Sequence, residues 1–545
     1  MVCLSRASVN MAVRFVWLCV SVVLVLPANA TENTEPKDPV AATIGAPWPL
    51  PQNIKQSSTL FTVDAQTFMF VTTGISCDIL NEAYTRYIPL IFGQNYANKK
   101  HWFKRPRVGA GVVSSLNVSV STACQGQYPS LESDESYSLQ ITSAGASLKA
   151  NEVWGALRGM ETFSQLVTQQ SSGEFVVMES MITDAPRFKH RGVLLDTSRH
   201  YLSVKTILQN LDAMSQNKFN VFHWHIVDDQ SFPFESAAFP EMSNKGAYNP
   251  VTHVYTRADI REITNYARLR GIRVMPEFDS PGHSESWGKA ITNLLTPCYS
   301  HGKPDGTFGP INPLPESTYT FLKTFFQDVG EVFPDHYIHL GGDEVSFGCW
   351  MSNPNITEFV TKMHYTNYGQ VEQYYMQKLL DIISGLGKGY QIWQEVIDNG
   401  AKVQPDTVVE VWKDPWPAEM AKVTKMGYKT LLSTCWYLNY ISYGSDWAKY
   451  YTCDPFNFDG TPEQKALVMG GETAMWGEYV DSTNLISRLW PRAAAVGERL
   501  WSPQNVNSSS AAEPRLVEHR CRMVRRGFPA EPVSGPGFCD FEYSG

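Results

Sequence analysis

The sequence predicts an α/β protein: a (β/α)8 TIM barrel preceded by a small α+β domain with an antiparallel sheet. Three observations carry that prediction. Beyond Pro186, short apolar strands recur eight times, most followed by a stretch with helical spacing. Nearly all of them end in Asp, Glu, His or Trp, and in a barrel the C-terminal strand ends gather at one face. Between about residues 60 and 180 the pattern is instead one of short alternating segments, the mark of half-buried antiparallel strands.

The elements follow in order. Arg14 precedes an apolar run over 15–26, and Ala28, Asn29 and Ala30 supply the small residues of a cleavage site. Residues 1–30 therefore read as a secretory signal, too short to span a membrane comfortably. No later stretch has the apolar length of a span, so the mature chain is expected to be soluble. Residues 31–50, rich in Pro, Thr and Glu, lead loosely into the accessory domain, which is expected over 31–186. Its strands are expected near 60–63, 112–118 and 138–141, and its helix over 152–166. The barrel, with a C-terminal extension, is expected over 187–545. Its strands are read at 192–196, 220–228, 272–279, 337–344, 390–395, 408–413, 430–436 and 467–472. The helix over 257–270 has apolar residues at helical spacing and is closed by Gly271. A doubly wound sheet would account for fewer of these segments.

Composition narrows the class. A formal net charge of -9 and a pI near 5.8 argue against a nucleic-acid partner. Fifteen Trp and 12% aromatic residues suit either a large core or a sugar-stacking cleft. Loss of the signal removes Cys3 and Cys19 and leaves an even set: Cys77, Cys124, Cys298, Cys349, Cys435, Cys453, Cys521 and Cys539. In a secreted chain this suggests disulfides, with about a hundred possible pairings. Simple nearest-neighbour pairing gives Cys77–Cys124, Cys298–Cys349, Cys435–Cys453 and Cys521–Cys539. Metal binding is the weaker reading, because no Cys-x-x-Cys pair exists. Sequons at Asn117, Asn355 and Asn507 are glycosylation candidates.

The most informative motif is His339-Leu340-Gly341-Gly342-Asp343-Glu344, which sets two carboxylates side by side after a short buried strand. Like charges held close separate the two pKa values, so one carboxyl can stay protonated while its neighbour stays charged. Other strand ends read Asp196-Thr197-Ser198-Arg199-His200, His223-Trp224-His225-Ile226-Val227-Asp228-Asp229 and Glu277-Phe278-Asp279-Ser280-Pro281-Gly282-His283. Alternation puts His223 and His225 on one face. A metal site built from them with Asp228 and His283 lacks any tight ligand spacing, and hydrogen-bonded structural histidines are the commoner arrangement. No Gly-x-Ser-x-Gly elbow or nucleotide-binding glycine loop appears. Eight Trp fall between 393 and 501. One such Trp alone could simply pack between strand and helix. Several at strand ends, among Glu395, Asp414 and Glu478, suit a sugar pocket, where indoles take the apolar sugar face and charged groups take the hydroxyls. The residues thus indicate a secreted barrel glycosidase.

These motifs, with Trp393-Gln394-Glu395 and Gly470-Gly471-Glu472 through Met475-Trp476-Gly477-Glu478, resemble those of the eukaryotic β-N-acetylhexosaminidases of glycoside hydrolase family 20. The resemblance covers nearly all of the mature chain. It implies a retaining exo-β-N-acetylhexosaminidase in which the sugar's own 2-acetamido oxygen attacks the anomeric carbon, replacing the usual enzyme nucleophile. It further implies that Glu344 is the general acid and then base, and that Asp343 holds the acetamide N–H and stabilises the oxazolinium-like intermediate. Asp228 and His283 would form a relay tuning Glu344, and Tyr437 would align the acetamide oxygen. Arg199 would grip the C3 and C4 hydroxyls, Glu478 would complete the non-reducing end, and Trp393, Trp412 and Trp476 would wall the pocket. No metal or cofactor is implied.

Asn439 and Tyr440 are the variable pair. Asn439 matches the family's α-type chains, but Tyr440 stands where those chains carry an arginine that admits 6-sulfated sugars, so sulfated substrates are not expected. Three of the nearest-neighbour bridges resemble family disulfides, whereas Cys435–Cys453 is an addition that would tie down the loop bearing Tyr437 and Asn439. The resemblance implies a homodimer, N-acetylhexosamine-terminated glycans as substrates, and a lysosomal or extracellular destination in the secretory pathway. A chitooligosaccharide specialist is the nearest alternative. A catalytically dead sugar-binding barrel fits poorly, since Asp343, Glu344, Tyr437 and Arg199 are all present.

Overall fold

The computed structural model describes residues 39–93, 111–170, 172–442 and 444–539. The signal expected over 1–30 lies outside the described residues. Eight parallel strands close a barrel: His190–Asp196, Val221–His225, Arg273–Glu277, Tyr337–His339, Gly389–Trp393, Val408–Val411, Lys429–Leu432 and Val468–Met475. The last pairs with the first, with Glu472 opposite Gly192 and Met475 opposite Leu195. Every strand expected from the sequence is present. Most are shorter than expected at their C-terminal ends, because the terminal polar residues have already left the ladder for the loops at that face.

Alternation along these strands sorts the side chains. Val193, Leu195, Phe222, Trp224, Val274, Ile338, Ile392, Val409 and Val411 face outward into one core shared with the surrounding helices. Inward residues form layers. Val221, Met275, Tyr337, Val408 and Leu431 make an apolar floor. Above it His223, Glu277, His339, Glu410 and Glu472 are fully buried. Highest are Leu194, Trp393, Tyr437 and Ala474, with Trp412 and Trp476 packed against them. Gly192 makes room for the charged layer, since a Cβ there would lie 2.4 Å from the Glu472 side chain.

The expected helix is found at Arg257–Arg268, opened by a reciprocal capping box between Thr256 and Asp259. After the fifth strand the helix is a single turn, Glu395–Asp398. After the third strand an antiparallel hairpin, Leu295–Ser300 with Lys303–Ile311, enters before the helix Glu316–Val332. Among the described residues no helix is long and apolar enough to cross a membrane.

The accessory domain differs from the purely antiparallel sheet expected: its sheet is mixed. Met69–Thr72, Ser115–Val120 and Gly145–Ala150 pair in parallel, whereas Phe175–Asp184 runs antiparallel to Asn53–Val63 and Tyr137–Thr142. The parallel pairs rest on a crossover helix, Asp78–Phe92, that the sequence reading did not place. Its Ile79, Leu80, Ala83, Tyr87 and Ile91 join the helix Val153–Leu166 in a second core. All four nearest-neighbour disulfides form: Cys77–Cys124, Cys298–Cys349, Cys435–Cys453 and Cys521–Cys539. Of the sequons, Asn355 and Asn507 are exposed, while Asn117 is half-buried and donates to the Ala146 carbonyl at 3.4 Å.

Candidate active site

The fourth strand ends at His339, and the chain then turns through Gly341 and Gly342, both at positive φ. Gly341 is required by close approach as well, since a Cβ would meet Asp279 Oδ1 at 1.7 Å. The turn delivers adjacent carboxylates into opposite environments. Asp343 is buried at 7% exposure, while the Glu344 side chain is 57% exposed. Glu344 itself has φ 49°, a left-handed conformation sparsely populated by residues other than glycine and common at functional sites.

Asp343 has a buried companion that sequence reasoning quoted without assigning it a role. Asp279 Oδ1 accepts the Gly342 N–H at 2.8 Å. Burial and then the Asp343 charge push the Asp279 carboxyl well up. Oδ2 of Asp279 and Oδ1 of Asp343 have no partner. Asp279 is thus the carboxyl that keeps its proton.

A relay lies beside the pair. Burial alone would lower the His283 imidazole, but its hydrogen bond to Asp228 and the charges of Asp343 and Asp228 push it up. Protonated His283 donates through Nδ1 to Asp228 Oδ1 at 3.2 Å, and its Nε2 stands 3.8 Å from oxygens of both Asp343 and Glu344. Burial would raise Asp228, yet His225 and His283 hold it well below the usual carboxylate range. Its Oδ2 takes His225 Nε2 and Arg199 Nη2, each at 2.8 Å. Arg199 Nη1 donates to Asp196 Oδ2 at 2.9 Å, and the same oxygen accepts the Gly477 N–H at 2.9 Å. Asp196, absent from the expected site, thus fixes Arg199 against the loop after the eighth strand.

Aromatic residues enclose the space above. Trp393 is buried, Trp412 and Trp476 are half-buried, and Tyr437 is 9% exposed. Tyr437 stacks on Trp412 at 6.1 Å between ring centroids, and its neighbour Leu438 donates its N–H to Ala474 of the eighth strand at 2.9 Å. Burial, then the charges of Glu410 and Asp343, push the Tyr437 phenol well up, so it stays a neutral donor. Glu395 Oε2 holds the Trp412 indole at 2.9 Å. Arg199 lies over the Trp476 ring at 5.3 Å. At the rim, Tyr440 is 64% exposed and stacks on Tyr437 at 6.0 Å, while Asn439 keeps a buried Oδ1 without a partner. Glu478 is exposed and acts on Arg199 through its charge.

The metal site weighed over His223, His225, Asp228 and His283 does not assemble. His225 bridges Glu277 and Asp228 as a hydrogen-bonded imidazole, and the Arg199 guanidinium already occupies the open side of Asp228. Two clusters of ligand-type atoms there, Asp228/Asp229/His283 and Asp279/His283/Asp343, both contain His283, whose raised pKa disfavours the neutral form a metal needs. A third, His223/His339/Glu410, is buried in the barrel interior.

A carboxylate pair, a His–Asp relay, a fixed guanidinium and an indole-lined pocket at the strand ends form a sugar-cleaving site, and related proteins agree. Residues 188–504 match the model for "Glycosyl hydrolase family 20, catalytic domain", and residues 47–166 match "beta-acetyl hexosaminidase like". The β-hexosaminidase subunit beta of Homo sapiens is 53% identical over 505 residues, covering 91% of this chain and 90% of that one. The subunit alpha of Bos taurus is 52% identical over 506 residues, covering 91% and 95%. The crystal structure of a Flavobacterium johnsoniae chitobiase superposes with a TM-score of 0.78 at 31% identity, covering 88% of this chain and 73% of that one. The chain belongs to glycosyl hydrolase family 20.

Proposed function

We propose that this enzyme is an exo-acting, retaining β-N-acetylhexosaminidase that releases terminal β-linked GlcNAc or GalNAc through an oxazolinium intermediate. β-Hexosaminidase activity itself follows from the family and from relatives that share about half of the sequence. The observation carrying the mechanism is the contrast between adjacent carboxylates, Asp343 buried with an unpartnered oxygen and Glu344 open beside His283.

In this reading Glu344 gives its proton to the glycosidic oxygen as the C1–O bond breaks, while the substrate's acetamide oxygen attacks C1. Asp343 accepts the acetamide N–H and offsets the positive charge that develops on the ring, in a site where water is largely displaced. Tyr437 donates to the acetamide oxygen and holds it in line, replacing an intermolecular encounter by a positioned one. Glu344, now a carboxylate, takes a proton from the water that opens the oxazolinium at C1, and two inversions give net retention. Arg199, held by Asp196 and Asp228, is poised for the C3 and C4 hydroxyls, with Glu478 closing the non-reducing end. Trp393, Trp412 and Trp476 supply the walls, and no metal or cofactor takes part.

At the rim Tyr440 offers an aromatic face and no positive charge, which favours neutral acceptors such as chitooligosaccharides over 6-sulfated sugars. Four disulfides support a destination in the secretory pathway, lysosomal or extracellular. The proposed assembly is a homodimer.

The test is aglycone release from β-glycosides of GlcNAc, GalNAc, 6-sulfo-GlcNAc and glucose by wild type and Glu344→Gln. Turnover of the two neutral N-acetyl sugars alone, falling about 10²–10⁴-fold in the variant, is expected. Equal turnover of glucose, or an unimpaired variant, would refute the assignment.

A further inference from the structure

Beneath the pocket, the interior of the barrel holds one carboxylate that reaches two separate parts of the site without facing the sugar. Glu277, at the end of the third strand, is fully buried. Its Oε1 accepts the Trp393 indole N–H at 2.9 Å, and its Oε2 accepts from His225 Nδ1 at 2.7 Å. His225 in turn donates through Nε2 to Asp228, which anchors both His283 and Arg199. One arm therefore ends on a pocket wall and the other on the relay beside Glu344.

The surroundings make this carboxylate the charge that keeps the relay aligned. From the second strand His223 Nε2 stands 3.0 Å from Oε2 without an aligned hydrogen bond, and its Nδ1 pairs with Glu472 of the eighth strand at 2.7 Å. From the fourth strand His339 Nδ1 faces Oε1 at 3.1 Å, and Glu410 of the sixth strand lies beyond His339 at 3.7 Å. His190 of the first strand completes the layer by pairing with Glu472. Among these groups His225 alone connects Glu277 to Asp228. Protonated His225 can donate at both nitrogens at once, whereas neutral imidazole has one N–H and must release one of its two partners.

We propose that Glu277 is a positioning residue that couples the sugar-binding wall to the general acid, fixing Trp393 with one oxygen and the His225–Asp228–His283 relay with the other. This rests on the assignment of Glu344 as the acid. Replacing Glu277 by Gln removes the anion that keeps His225 doubly donating. His225 then keeps a single N–H and must release one of its two partners, so the relay beside Glu344 loses its fixed alignment and the alkaline limb of kcat/KM moves.

The test uses the full-length enzyme and a chromogenic β-GlcNAc glycoside, with kcat and KM measured across pH for Glu277→Gln, His225→Gln, Trp393→Phe and the double variant Glu277→Gln/His225→Gln. Glu277→Gln is expected to lower kcat/KM at least tenfold, raise KM, and move the alkaline limb by more than about half a pH unit. His225→Gln should move the limb, Trp393→Phe should change KM with the limb in place, and the double variant should shift the limb no further than either single. Glu410→Gln, a buried neighbour outside both arms, is the control for general disturbance of the barrel and should leave the limb in place. An unmoved limb in Glu277→Gln, an additive double variant, or an equal shift in Glu410→Gln would overturn the proposal. If Glu277→Gln does not fold, an unmoved limb in His225→Gln overturns it alone. Failure of Glu344→Gln to abolish turnover would instead sink the acid assignment, a separate outcome.

Discussion

Asp279, buried beside Asp343, has its carboxyl pushed well up and keeps its proton. A neutral amide of the same shape should replace it tolerably, still accepting the Gly342 N–H. Asp279→Asn is therefore expected to retain kcat within about tenfold, while Asp343→Asn should lose about 10²-fold or more. Steady-state kinetics of the two variants check this, and equal losses would contradict it. The relay also has a pH signature in stability. Burial lowers His225, but Glu277 and Asp228 raise it to about 9. A histidine raised on folding stabilises fully below its unfolded pKa of about 6.5 and loses that contribution as pH rises through the folded value. The thermal midpoint should fall between pH 7 and 9 more steeply in wild type than in His225→Gln, and parallel profiles would refute the pairing. At this scale the sequence displayed Asp343, Glu344, Arg199 and the tryptophans, because motif and strand-end position mark them. It did not display Asp196, Asp279 or Glu277 as working parts, because their roles arise from contacts between strands far apart in the chain.

Among elements, the barrel strands were legible because alternation and polar ends coincide in each. The mixed sheet was not, since a parallel pair carries no local signature that separates it from an antiparallel one. The helix Asp78–Phe92 was also missed, although its buried residues recur at helical spacing. The segment between Cys435 and Cys453 borders the pocket. It carries Tyr437, Asn439 and Tyr440 and is closed by Cys435–Cys453, with Trp436 Nε1 donating to the Tyr450 carbonyl at 3.0 Å inside it. Replacing both cysteines by Ser should destabilise the enzyme by about 3 kcal/mol, mainly through the freed unfolded chain. Because Tyr437 is also held through Leu438 to the eighth strand, selectivity for N-acetyl sugars should persist. Thermal melts beside glycoside selectivity check both halves, and loss of selectivity without a lowered midpoint would contradict them.

For the whole molecule, a buried charge cluster joins the accessory domain to the closed end of the barrel. Glu135 takes both Arg158 and Arg191 of the two domains, with Nε of Arg158 at 2.8 Å and Nη2 of Arg191 at 2.7 Å. Burial would raise its carboxyl, but the two guanidinium groups hold it below the ordinary range. Glu135→Ala would strand two buried cations and is expected to cost about 3–5 kcal/mol. Calorimetry should show an earlier transition, and an unchanged midpoint would mean that this cluster does not hold the domains together. In the proposed reaction the nucleophile is the substrate's own acetamide oxygen, aligned by Tyr437 and Asp343. The most direct measurement is kcat/KM for β-glucosaminides whose N-acyl methyl is fluorinated stepwise, which weakens that oxygen as a nucleophile and changes the sugar little. The account predicts a progressive fall with each fluorine, and a rate indifferent to fluorination would contradict it.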